Sequence, residues 1–369
     1  MADPQVFDVF VVGAGPGGAA AAKRCAEKGL NTLLIEKKRL PRDKVCSGMV
    51  MGRWAAQTIE QEFGVIPRSV LTEPPLLAGH RFYVGEEEPT ELKWPTALSW
   101  RKDLDFWLVQ GALACGVQLK DGVRVAGMER EKAGCRILLE KEGLKEILRA
   151  RCVIGADGAV SIVRRSLFPE LKVRFSGPIR ECYAGELGLE KDVFHWFFPK
   201  GQARPRFNVN HKGDVFLIEG SGLRELRKEI DELLSAHGFK PGSEPLWKDG
   251  CSIALLHEPL LAGRFTPALE NVLLVGDAGG LILPITYEGI GSAIKSGLLA
   301  ADAVIEHFEQ PDKIAPAYLK SLKPLLDVIG RLLALQSGLK IAAEAGPRFL
   351  ARALADAYEE TLSIQERFL

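Results

Sequence analysis

The strongest chemical signal in the chain is the run Gly13-Ala14-Gly15-Pro16-Gly17-Gly18. It lies between an apolar run (7–12) that reads as a strand buried on both faces and an alanine-rich stretch (19–28) that reads as a helix. A pyrophosphate needs close backbone approach and the free N–H groups of a helix start, and glycines at these positions allow both. Glu36 closes the next predicted strand, 31–35. A carboxylate there accepts hydrogen bonds from both ribose hydroxyls and repels a 2′-phosphate. The pattern therefore suits the adenosine of FAD or NAD better than that of NADP.

Two further glycine–acid segments bear on that choice. Residues 154–165 carry Asp157 and Gly158, and residues 272–280 carry Gly276 and Asp277. Each reads as an apolar strand ending in Gly and Asp before a helix start. Such an Asp can hold a sugar-alcohol hydroxyl, or can simply cap its own helix. Both motifs together with the first favour FAD. Tyr287 and Glu288 precede Gly289-Ile290-Gly291, a second glycine-flanked helix start.

Cys46 follows Lys44 in the loop Lys44-Val45-Cys46-Ser47-Gly48. A free cysteine is commonly a small buried apolar residue, whereas one near a cation can be reactive. In the run 194–198, strand alternation places Phe194, Trp196 and Phe198 on one face, and His195 and Phe197 on the other. One face can be core while the other lines an apolar pocket.

The elements that must position these residues read as separated pieces. A nucleotide domain is expected from 1–75, 99–165 and 266–310, with a meander over 123–154. A β-sheet substrate domain is expected from 76–98 and 166–265, with a helix over 223–236. A helical region follows over 311–369, with Pro316, Pro324 and Pro347 as breaks. The chain has 369 residues, with 48 Lys plus Arg against 48 Asp plus Glu. Zero net charge argues against a general nucleic-acid partner. No run of about 18 apolar residues predicts a membrane span. The seven cysteines form no CxxC pair, so no metal is expected, and their odd number and scatter suit reduced thiols. With no basic leader at the start, a cytoplasmic location is expected. Apolar residues at helical spacing in the tail leave peripheral membrane contact open.

With these motifs the chain resembles the flavoprotein superfamily of p-hydroxybenzoate hydroxylase type over most of residues 7–310. Within it, Lys44–Gly48 and the segment 193–201 resemble the geranylgeranyl reductase family. That family shows a Lys-x-Cys-Gly-Gly-like loop and a Tyr-x-Trp-x-Phe-Pro segment. Here Ser47 replaces a Gly and Phe194 the Tyr. The resemblance implies an α/β plus α+β fold: a Rossmann-like FAD-binding domain, an inserted antiparallel β-sheet substrate domain and a helical C-terminal tail. FAD would be held by Gly13, Ala14, Gly15, Pro16, Gly17, Gly18, Glu36, Lys37, Lys44, Cys46, Ser47, Arg101, Asp157, Gly276, Asp277, Gly289 and Ile290. Cys46 and Tyr287 are the candidate catalytic residues, and Trp196 and Phe198 the candidate pocket wall. The implied activity is hydride transfer from reduced flavin to C=C bonds of an apolar, polyprenyl-type substrate. The electron donor would be NAD(P)H or an external redox protein, since only one dinucleotide-type turn is present. The rivals are a flavin monooxygenase or halogenase on the same fold, and a flavin electron-transfer protein without substrate turnover.

Overall fold

The computed structural model describes residues 6–198 and 206–363. The apolar runs form the centre of a parallel sheet. Strand Val6–Val12 lies between Thr32–Glu36 and the distal part of Leu144–Gly155, and all three run parallel. Val272–Leu274 adds to Leu144–Gly155, and Gln118–Asp121 to Thr32–Glu36, again in parallel. These strands are covered on both faces, which is why they read as continuous rather than alternating hydrophobic runs. The expected meander is present as Arg124–Glu131, Gly134–Lys141 and Leu144–Gly155, paired antiparallel.

A second eight-stranded sheet runs Trp247–Gly250, Ile179–Ala184, Val215–Ser221, Arg206–Lys212, Val193–Phe198, Leu71–Val84, Thr90–Ser99, Met49–Val50. The expected antiparallel pairing holds at six of its seven strand contacts. At the seventh, Val193–Phe198 runs parallel to Leu71–Val84. The two strands are far apart in sequence, so no hairpin turn dictates their direction. The sheet also recruits the two-residue strand Met49–Val50 from the segment just after the Cys46 loop. That pairing ties the loop to the second sheet.

Helix Pro16–Glu27 packs along helix Ile290–Glu306. The approach is close enough that a Cβ on Gly297 would stand 2.3 Å from the Gly17 carbonyl oxygen. The tail departs from expectation. Pro316 and Pro324 do not break it; both lie inside one helix, Pro311–Ala345. Each internal proline costs about 3 kcal/mol. Ile314, Tyr318, Leu322, Val328, Ile329 and Leu332 are all buried along the same helix, and each large apolar side chain contributes about 1.5–3 kcal/mol. Packing therefore outweighs the prolines. Between them, the buried Tyr318 hydroxyl donates to the Leu274 carbonyl at 2.8 Å, pinning the helix to the parallel sheet. Pro347 does mark a boundary, opening helix Pro347–Ser363. No helix among the described residues is long and apolar enough to cross a membrane.

The helix contact is testable. Gly297→Ala should destabilise the protein by about 1–3 kcal/mol, because backbone must move to admit the methyl group. Gly338→Ala, on an exposed helical stretch with nothing near its Cβ, should be neutral or stabilising by up to about 1 kcal/mol. Urea midpoints of the two variants check the contrast.

Candidate active site

The glycine turn serves two tasks. A Cβ on Gly13 would stand 2.4 Å from the Ala156 carbonyl oxygen, and one on Gly18 would stand 1.8 Å from that of Gly13. These two glycines let the turn close against strand Leu144–Gly155. Gly15 is different: the nearest atom to its Cβ position is the Arg42 guanidinium at 3.8 Å. Gly15, Pro16 and Gly17 face a cleft of about 1490 Å³, mouth included. No side chain caps helix Pro16–Glu27, which leaves its first amides directed at that cleft.

Beside the turn, Glu36 is buried and receives the Ala14 amide at 3.1 Å. Arg42 joins Glu36 (3.1 Å) to Asp105 (2.9 Å). Arg101 holds Asp105 with two further hydrogen bonds, at 2.7 and 3.0 Å. The two arginines keep the buried Asp105 carboxyl below its usual range, against the opposing effect of burial. Arg101 also lines the cleft, with Cys46 beside it.

The later motifs converge on the same cleft from other elements. Gly276 and Asp277 line it from a single 3-10 turn, and Gly289 and Ile290 from the start of helix Ile290–Glu306. Lys44, Cys46, Ser47 and Tyr287 line it too. Tyr287 sits at φ 55°, in a turn where Ile285 also has φ 67°. The Arg206 guanidinium donates to the Ile285 carbonyl at 2.9 Å and supports that turn. Glu288 accepts the Gly291 amide at 2.6 Å. Burial raises its carboxyl to about 7, against the pull of the helix amides.

Three expected site residues stand elsewhere. Asp157 spends both carboxylate oxygens on its own helix: Oδ1 accepts from Ser161 at 2.6 Å, and Oδ2 from the Ile162 amide at 2.6 Å. It acts as a cap, while its neighbours Ala156 and Gly158 face the cleft. Lys37 is exposed just after its strand, because alternation turns it away from buried Glu36. Phe198 shares the face of Trp196 but lies buried in the core under the Arg206 guanidinium, away from the cleft wall. Phe194 and Trp196 do line the cleft.

Register exposes residues that motif reading passed over. Across the second sheet, Phe82, Trp196, Asn208, Glu219, Arg180 and Asp249 are successive direct partners and form one row. Trp196, Asn208 and Glu219 of this row face the cleft. Arg180 is clamped by Asp249 at 3.2 and 2.9 Å and donates to the Cys46 carbonyl at 2.9 Å. Lys212, from the same strand as Asn208, donates to the carbonyls of Ser47 (2.5 Å) and Ser99 (2.8 Å). Burial pushes its ammonium down to about 7. Two cations of the second sheet thus hold the Cys46 loop. The signal in the sequence was the spacing of Asn208, Asn210 and Lys212: polar residues at every second position of a strand otherwise rich in apolar ones.

The donor set fits one cofactor. A glycine turn open at Gly15, an uncapped helix start behind it and a buried carboxylate at the first strand pair match a dinucleotide. The additional cleft beyond the turn leaves room for a second ring system. Residues 6–196 match the FAD binding domain family. The chain belongs to that family. This flavoprotein is an FAD-dependent oxidoreductase, and the resemblance to geranylgeranyl reductases holds among its relatives. It is 28% identical to a digeranylgeranylglycerophospholipid reductase of Thermoplasma volcanium, over 84% of this chain and 80% of the relative. Among solved structures, a geranylgeranyl bacteriochlorophyll reductase-like protein of Thermoplasma acidophilum is similar, with TM-score 0.72 and 20% identity over 99% of this chain and 100% of that one. A flavin-dependent brominase, Bmp2, shares the fold with TM-score 0.75 and 17% identity, over 97% of this chain and 94% of that one.

Two outcomes are expected. Gly15→Ala should fold as the parent does, since its Cβ has space, yet lose FAD by at least about tenfold in affinity because the methyl group takes the place of the pyrophosphate. Melting temperature and flavin absorbance after dialysis separate the two effects. For Glu288, the folded protein keeps a proton between pH 4.5 and about 7 that the unfolded chain has released. Stability of the apoprotein should fall as pH rises through that window, and Glu288→Gln should flatten the slope. Urea titrations at several pH values measure it.

Proposed function

We propose that this flavoprotein reduces carbon–carbon double bonds of an apolar, polyprenyl-type lipid. The observation that carries this reading is the chemistry of the cleft wall. Met49, Met51, Phe194, Trp196, Ile253 and Ile282 line the same cleft as the glycine turn and the two helix starts. An electron-transfer protein without turnover has no need of an apolar slot at this place. FAD, when bound and reduced, supplies the hydride.

The chain supplies the rest. Trp196 is fixed by its indole N–H donating to His80 Nδ1 at 3.2 Å, and Phe194 packs against it at 4.9 Å between ring centroids. His80 is fully buried, and burial lowers its pKa to about 4, so it stays neutral and accepts this bond. Rigid aromatic walls exclude water and hold a flexible chain in one pose. Cys46 contributes to the same wall and positions substrate, with its loop clamped by Arg180 and Lys212. Tyr287 shapes the opposite turn. Re-reduction falls to an outside donor, NAD(P)H or a redox protein. Ile341 (70% exposed) and Phe349 (64%) stand out on the two C-terminal helices, and they suit peripheral contact with the lipid phase from which such a substrate comes.

The test is anaerobic. Reduced holoprotein incubated with digeranylgeranylglycerophospholipid or a polyprenyl diphosphate should yield products heavier by two mass units per double bond, with stoichiometric flavin reoxidation. Flavin that stays reduced with both lipids, and instead reacts with oxygen to hydroxylate or halogenate a substrate, would transfer the assignment to the monooxygenase class. Cys46→Ser should keep FAD and lower turnover by about tenfold, some 1.4 kcal/mol in the barrier. Parent-like turnover in that variant removes Cys46 from the site.

A further inference from the structure

Adding hydrogen across a double bond requires a proton as well as a hydride. The second sheet holds an acid at the right place. Glu219 stands between Trp196 and Arg180 in the row across the sheet, with only Asn208 between it and the aromatic wall. It lines the cleft together with Cys46, Cys251 and Trp196. One of its carboxyl oxygens, Oε2, is buried and has no hydrogen-bond partner among the described residues, and neither has Oδ1 of its neighbour Asn208. A buried carboxylate in that condition pays a large desolvation cost unless a cation pairs with it.

The nearby cations are committed elsewhere. Arg180, directly opposite Glu219, has its guanidinium fork on Asp249 and its remaining nitrogen on the Cys46 carbonyl. Lys212 spends its ammonium on the carbonyls of Ser47 and Ser99 and sits 4.3 Å from the centre of the Trp100 ring. Arg206 reaches over Trp196 to the Ile285 carbonyl. Asp249 adds a like charge on the far side of Arg180. The titratable groups whose charges act on Glu219 are Arg180, Lys212, Asp249 and Cys251, and Cys46 lines the same cleft. Burial dominates and raises the Glu219 carboxyl above its usual range, with Arg180 and Lys212 opposing.

We propose that Glu219 is the catalytic acid, delivering its proton to the substrate carbon adjacent to the one that receives hydride. The inference rests on the alkene-reductase reading above. The balance is complete. Two electrons and one hydrogen come from reduced FAD, and the second hydrogen comes as H⁺ from the Glu219 O–H. The C=C π pair forms the new C–H bond at the protonated carbon. Glu219 is left as carboxylate and regains a proton from water at the cleft mouth. An external two-electron donor, a reduced pyridine nucleotide or redox protein, would return the oxidised cofactor to its reduced form for the next turnover. Asn208 stands directly opposite the acid across the strand pair.

Two readouts test this on the full-length holoprotein and on the same protein freed of FAD. In the FAD-free protein, infrared spectra at neutral pH should show protonated-carboxyl absorption that Glu219→Gln removes in part, while Glu288→Gln removes a different component. In single-turnover stopped flow, Glu219→Gln should slow lipid-dependent flavin reoxidation by about 10²-fold and leave reoxidation by ferricyanide unchanged. Glu219→Asp should recover part of the lost rate. An infrared spectrum that Glu219→Gln leaves unchanged means the residue is ionised, and the proposal fails. It fails equally when the component disappears but lipid-dependent reoxidation stays within about twofold of the parent. A parent protein that reduces no lipid double bond at all defeats the reductase reading itself, and the proton-donor role falls with it; the infrared result then stands on its own as a statement about Glu219 protonation.

Discussion

The organisation of this molecule depends on one close contact, between the backbone of Gly17 and that of Gly297. Two helices that begin at glycine-flanked turns, more than two hundred residues apart in sequence, lie so near each other that neither tolerates a side chain at the crossing. Their N-termini consequently open on the same cleft. Helix starts carry unpaired amides and a partial positive charge. The start of helix Pro16–Glu27 is open to an anion, that of helix Ile290–Glu306 is partly occupied by the Glu288 carboxyl, and Lys44, Arg101 and Arg206 add cationic side chains to the same cleft. Other contacts in this half surround the helix crossing. The parallel strands set the helix spacing, Tyr318 straps the long C-terminal helix to the sheet, and Arg164 joins the two glycine–acid loops by donating to the Ala278 and Ala159 carbonyls.

The second sheet meets this half through its aromatic and polar rows. Its face toward the FAD-binding half changes character along a single line of residues, from Phe82 and Trp196 through Asn208 to Glu219, Arg180 and Asp249. Its opposite face packs a separate core around Phe197, Phe207 and Ile218. Strand alternation explains how one run, Val193–Phe198, serves both: Phe194, Trp196 and Phe198 join the large core and Phe197 the small one. The charged end of the row reaches forward to the Cys46 loop through Arg180 and Lys212. The loop therefore belongs structurally to both halves, with its sheet pairing at Met49–Val50 adding a third attachment. A loop held this way presents its thiol at a defined place, which a free surface loop does not.

The buried charges follow a common logic. Arg42, Arg101, Glu36 and Asp105 neutralise one another beside the glycine turn, so the site carries little net charge before its cofactor binds. Among the described residues Glu219 and Glu288 have no comparable salt bridge, and burial drives both toward the neutral form. Neutral acids in an apolar cleft are compatible with a hydrocarbon substrate, whereas ionised ones would draw water in with them.

By itself the sequence determined the cofactor half of this protein. The turn at Gly13–Gly18, Glu36 at the second strand end, the Gly276-Asp277 turn and the Gly289-Ile290 helix start are local features, each readable because a phosphate or a tight turn imposes its residue types within a few positions. The buried parallel strands and the meander were legible for the same reason, since their periodicity is short. Cys46 and Trp196 were marked out by the family resemblance. What only the tertiary structure decided was anything that depends on register between distant strands or on what packs against a helix. The Asn208–Glu219–Arg180 row exists only after three strands pair. Phe198 and Trp196 share a face and are both buried, and only the three-dimensional packing puts Trp196 on the cleft wall and Phe198 away from it. Asp157 satisfies its own helix because that helix begins at once. Pro316 and Pro324 stay helical because the surface beneath them buries more apolar area than two missing amides cost. Local chemistry is written in neighbouring residues, while partners across a sheet are set by long-range pairing that no short window of sequence contains.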